Sequence, residues 1–83
     1  MKLTRRQAEV LQLIYEGKSS QEVAEILFVA PRTIDFHLVN IYARLGVRNR
    51  IQAFREAMRL GIIRPPARRD RSPEPVIKER YAR

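Results

Sequence analysis

Residues 19–46 read SSQEVAEILFVAPRTIDFHLVNIYARLG, and the spacing of their apolar positions decides the fold. Val23, Ala24, Ile26 and Leu27 recur at helical steps, and Ile34, Leu38, Ile41 and Leu45 follow at steps of 4, 3 and 4. Ser19 with Glu22 three residues on fits a Ser-x-x-Glu capping box, in which each side chain takes up a backbone N–H that the first turn leaves unpaired. Pro31 suits the first position of a helix, because the N–H it lacks would have no partner there. Gly46 stands where a left-handed residue closes a helix. Only Phe28, Val29 and Ala30 separate a short helix over about 20–28 from a longer one over 31–45. A short helix, a tight connection and a longer helix form the helix-turn-helix pattern. In that motif the second helix enters the major groove of a duplex and the first crosses the backbone. The groove accepts an α-helix by width and displays the full base code.

The same signals extend outward from this stretch. Thr4 with Gln7 fits a second capping box, followed by Val10, Leu11, Leu13 and Ile14 and then Gly17, which predicts a helix over 5–16. Asn49 is an N-cap residue with Gln52 three positions on, and Gly61 closes a fourth helix over 50–60. The fourth helix is expected to turn Ile51, Phe54 and Met58 inward. No stretch alternates at period two, and no internal repeat is present. The fold expected over residues 1–63 is therefore all-α, a four-helix domain.

Composition narrows the function. Eighty-three residues make one small domain. Of 17 basic residues three are Lys (Lys2, Lys18, Lys78) and the rest Arg, against 9 acidic ones, for a net charge of +8. The pI near 11.1 is in the range of nucleic-acid binders. The absence of Cys excludes disulfides, thiolate nucleophiles and Cys-ligated zinc. No apolar run is long enough to span a membrane, and no signal-peptide core follows Met1, so the expected location is the cytoplasm. With a single His, His37, and no carboxylate cluster beside it, neither catalysis nor a metal site nor a cofactor is expected. His37 is expected to be a packed, hydrogen-bonded structural residue.

The chain changes character after Ile63. Residues 64–83 hold four of the five Pro, and their 7 basic and 3 acidic residues carry half of the net charge. They read as a basic, Pro-containing tail, mostly disordered or docking on a partner. Val76, Ile77, Arg80 and Tyr81 would share one side of a short helix there, too short to persist alone in water. By charge, the tail is expected to hold DNA without regard to sequence.

Taken together, Leu3-Thr4, Glu9-Val10-Leu11, Gly17-x-Ser19-x-x-Glu22-Val23-Ala24, Thr33-Ile34, His37, Asn40-Ile41, Leu45-Gly46-Val47 and Asn49-Arg50 occur in order and without gaps. This series resembles the LuxR/GerE-type DNA-binding domain of bacterial transcription regulators, from Leu3 to Ile63. The resemblance implies a four-helix domain that binds double-stranded DNA, usually as a homodimer, with the fourth helix often forming the dimer contact. The sequence departs from the family at Ala30, where Ser is frequent, and at Asp35 and Val39, where Lys or Arg is frequent. With Met1 directly ahead of the domain, a stand-alone or excised domain is expected, without room for a receiver or ligand-binding domain.

On the third helix the outward residues are Arg32, Asp35, Phe36, Val39, Asn40 and Ala43. An Asp is repelled by phosphates but can accept a bond from a cytosine amino group, and Phe36 and Val39 can touch a thymine methyl. Thr33, Arg44, Arg48, Asn49 and Arg50 surround this face and suit phosphate anchoring. For Thr33 the alternative is a hydroxyl bonded to its own backbone, and for the arginines a merely solvated surface. A second line on the fourth helix, Ala53, Ala57 and Leu60, is expected to form the dimer interface, so that Ala57→Glu would abolish dimerisation without unfolding. The competing line of thought makes the Asp35/Phe36/Val39 face and the tail a protein-binding module, with a partner in the transcription machinery and DNA secondary.

Overall fold

The structure is a computed structural model and describes residues 2–65. The tail and its expected short helix lie outside the described residues. The four helices are α1 (Arg5–Tyr15), α2 (Ser20–Leu27), α3 (Pro31–Leu45) and α4 (Arg50–Arg59). Each start lies at the expected residue and each end within one residue of it.

The starts are built as their residue types dictate. Thr4 Oγ1 accepts from the Gln7 N–H at 3.1 Å, and Gln7 Oε1 accepts from the Thr4 N–H at 3.0 Å. Ser19 and Glu22 repeat the exchange at 3.1 and 2.8 Å. At α4 the exchange is incomplete. Asn49 Oδ1 accepts from the Gln52 N–H at 2.9 Å, while the Gln52 side chain turns to the Arg48 N–H at 2.8 Å. Ala30 caps α3 with no side-chain bond, and Pro31 follows it.

The ends share one geometry. In each, an N–H bonds the carbonyl five residues back: Lys18 to Leu13, Val29 to Ala24, Val47 to Tyr42, and Ile62 to Ala57. This closure needs one residue in the left-handed region. Gly17, Gly46 and Gly61 supply it after α1, α3 and α4. After α2 the residue is Phe28, at φ 60° and ψ 47°, the one described non-glycine residue with positive φ. Its side chain is 92% exposed. Phe28 thus carries backbone strain without the compensation of burial.

Helix α3 is the hub and packs against all three others. Ile34, Leu38, Ile41 and Leu45 are all buried, as expected, and meet Val10, Leu11 and Ile14 of α1 and Val23 and Ala24 of α2 in one core. Leu3 ahead of α1 and Ile63 after α4 close it from the two ends of the domain. Leu13 and Leu27 pack at its margin, but Ile26 is exposed.

Helix α4 packs with a different face from the one expected, and of Ile51, Phe54 and Met58 only Phe54 lies against the core. Ala53 and Ala57 are completely buried, whereas Ile51 and Met58 are exposed and Phe54 is half-buried against Tyr15, edge to face at 5.1 Å. Small side chains let α4 come close to the core, and larger ones there would overfill it. Ala53 and Ala57 therefore serve the interior and have no surface to offer a second copy. Of the expected dimer line only Leu60 is exposed.

A candidate nucleic-acid interface on the third helix

With the Ile34/Leu38/Ile41/Leu45 stripe inward, the helical repeat turns Arg32, Asp35, Phe36, Val39 and Ala43 outward, and all five are exposed. Phe36 and Val39 keep 64% and 63% of their surface in solvent, too much to be core residues. Thr33, His37, Asn40 and Arg44 lie along one flank. The first three are half-buried, so that Asn40 lies at the edge of the outward face on which it is expected, and Arg44 is exposed.

The polar side chains differ in what they have left to offer. The Arg44 guanidinium donates to the Lys2 carbonyl at 3.0 Å, which ties the flank of α3 to the segment before α1. Asn49 spends its Oδ1 on the α4 cap and keeps only its amide N–H groups. The Thr33 N–H bonds the Ala30 carbonyl at 2.9 Å, and its hydroxyl makes no bond among the described residues. His37 likewise takes part in no side-chain hydrogen bond there, so the expected hydrogen-bonded structural role is half met, by packing alone. Among the described residues no group of three or more His, Asp or Glu is gathered in the manner of a metal site.

Among the described residues only Arg6 and Arg59 have a carboxylate within ion-pair distance, Glu9 and Glu56 respectively. The bond from Arg59, with its charge, holds the Glu56 carboxyl below its ordinary range and raises the guanidinium correspondingly. Arg32, Arg48 and Arg50 are exposed and have no acidic partner in this set. Arg32 stands in the first turn of α3, and Arg48 and Arg50 flank the α4 cap. Unpaired guanidinium groups with five donors each are matched to phosphate oxygens.

Two participants had no sequence signal. Ser20 Oγ donates to Asp35 Oδ1 at 3.0 Å and joins the start of α2 to the outward side of α3. Nothing in a serine beside another serine foretells that reach. Phe28, in the turn between the two helices, is the most exposed large apolar residue. Its position in the turn was legible, but its strain and exposure were not.

Residues 1–57 match the family described as bacterial regulatory proteins, luxR family. The chain belongs to that family. The spore germination protein GerE of Bacillus subtilis is 39% identical over 59 residues, which cover 71% of this chain and 80% of GerE. The solved structure of the transcription factor GerE superimposes with a TM-score of 0.75 at 33% identity, over 77% of this chain and 96% of that one. The transcriptional activator protein AnoR of Acinetobacter nosocomialis is 44% identical over 61 residues, 74% of this chain but 26% of AnoR. The chain spans only 7% of the length of the HTH-type regulators of Mycobacterium tuberculosis and Mycobacterium bovis that it matches at 44% identity. The family is one of DNA-binding transcription regulators rather than enzymes, and the expected all-α helix-turn-helix fold is the observed one. No helix of the described residues is long and apolar enough to cross a membrane.

Proposed function

We propose that this chain regulates transcription in the cytoplasm by placing α3 in the major groove of double-stranded DNA, as a homodimer on two half-sites. The observation that carries the reading is the outward face of α3. Its residues are exposed, the core does not use them, and Arg32, Arg48 and Arg50 have no acidic partner among the described residues. Phosphate contacts from these arginines, from the Thr33 hydroxyl and from the remaining donors of Arg44 and Asn49 would fix the register. Asp35, Phe36, Val39 and Asn40 would then meet base edges. The tail adds four net charges and strengthens binding to any duplex.

The dimer contact that fits this fold is the outer face of α4. Ile51 and Met58 are seven residues apart, so they share one side of the helix, and both are exposed. A domain of about 60 residues buries only about 60% of the surface of its unfolded chain, so covering this face adds to a small core.

The test is selection of bound sequences from random duplexes at a stated salt concentration. A two-fold symmetric consensus is the expected result. Failure to enrich any sequence refutes base reading and favours the protein-binding module, in which the Asp35/Phe36/Val39 face serves a partner in the transcription machinery.

A further inference from the structure

We infer that Asp35 is a specificity-determining residue that selects cytosine through its amino group, and that Ser20 is the positioning residue that aims it. The inference rests on the placement of α3 in the major groove proposed above.

The Ser20–Asp35 bond is the one side chain–side chain hydrogen bond between different helices among the described residues. Asp35 is exposed and Ser20 half-buried, and a bond this close to solvent contributes little to stability. Asp35 also has a cation one turn away on its own helix, Arg32, and forms no ion pair with it. The carboxylate is instead held by a neutral donor from α2. That bond leaves its charge uncompensated and its second oxygen, Oδ2, without a partner among the described residues. A fixed, unpaired carboxylate on a face otherwise rimmed by arginines weakens attraction to phosphates. Its chemistry is suited to an N–H donor.

An ionised carboxylate only accepts hydrogen bonds. In the major groove guanine shows two acceptors and thymine an acceptor and a methyl group, so both are disfavoured beside Asp35. Adenine offers its amino group but sets the N7 acceptor next to it. Cytosine offers its amino group with no acceptor on its own edge, and is the base this group fits best. The Ser20 bond holds one carboxylate oxygen and limits rotation about the side-chain torsions. The cost of ordering Asp35 is then met before DNA arrives.

The experiment uses the full chain and the selection described above, followed by affinity measurements on duplexes with each base in turn at every consensus position. The expected result is a cytosine in each half-site, preferred by roughly fivefold or more over the other bases. Asp35→Asn keeps an acceptor for Ser20 and adds a donor, so the preference at that position should move from cytosine to adenine. Ser20→Ala should reduce the cytosine preference while leaving the thermal midpoint unchanged, and Ser20→Thr should restore the preference. A merely structural tie between α2 and α3 would instead change the midpoint and leave base preference alone. An enriched consensus with no position at which Asp35→Asn changes the preferred base overturns this inference and leaves the groove reading standing. No enrichment at all overturns both.

Discussion

Phe28 permits a measurement of what the turn of the helix-turn-helix costs. An L-residue in the left-handed region is disfavoured by about 1–2 kcal/mol, and glycine is not. Phe28→Gly removes that strain. Against it stands the greater freedom of glycine in the unfolded chain, about 0.4–1 kcal/mol. The lost ring adds little, because Phe28 is 92% exposed. A tenth of the roughly 200 Å² that a phenylalanine can bury, at about 25 cal/mol per Å², is about 0.5 kcal/mol. The three contributions nearly cancel, and Phe28→Gly should sit within about 0.5 kcal/mol of wild type.

Phe28→Ala separates strain from the rest. It loses the same ring but keeps a Cβ at φ 60°. Ala therefore keeps the strain, and the glycine variant should exceed it by about 1 kcal/mol, or about 4–8 °C in thermal midpoint for a domain of this size. The assay is thermal unfolding followed by circular dichroism at 222 nm, with chemical denaturation as a second measure. An alanine variant as stable as the glycine variant would show that the left-handed closure after α2 costs no more than glycine's extra freedom in the unfolded chain, about 0.4–1 kcal/mol, and the reasoning would be wrong. The ordering also bears on function. If stability barely favours Phe28 over Gly, the exposed ring is not there to hold the turn together.

Other positions give simpler expectations. Ala30→Ser should supply the side-chain cap that α3 lacks and raise stability by roughly 1 kcal/mol in the same melts. Ala57→Glu should unfold the domain, with loss of helical circular dichroism, because it places a charge where the side chain is completely buried; a folded monomer would refute the packing of α4. Met58→Glu, on the exposed side of α4, should keep the helical signal and shift sedimentation from dimer to monomer. Arg59 lowers the Glu56 carboxyl from its ordinary 4.5, so that pair contributes above about pH 4.5 and its contribution fades as pH falls through the lowered value. Glu56→Gln should therefore move the thermal midpoint slightly downward at pH 7 and not at all in strong acid.

What was legible in the chain follows from where the physics is local. A capping box engages residues three apart, and a left-handed closure needs one glycine, so Thr4–Gln7, Ser19–Glu22, Gly17, Gly46 and Gly61 marked helix boundaries that the structure reproduces. The end of α2 carries no such mark, because there Phe28 does a glycine's task. Orientation was less legible, since it depends on distant neighbours. On α3 the apolar stripe had no rival, and its four residues are all buried. On α4 two lines competed, the large Ile51 and Met58 and the small Ala53 and Ala57. Hydrophobic size favoured the first, while the close approach of α4 to the core selected the second. Alanines do allow close packing, but the partner that Ala53 and Ala57 approach is the domain's own core, not a second copy. The same distinction governs the candidate site. Which residues of α3 face outward could be read from helical periodicity, and the structure finds Asp35, Phe36 and Val39 exposed. That Asp35 is held by Ser20, across 15 residues of sequence, could not. A carboxylate free to swing toward Arg32 would be a neutralised surface charge; one fixed by a serine is an aimed acceptor. On the proposal made above, the difference between weak DNA binding and base selection on this face would lie in a contact that only the tertiary structure supplies.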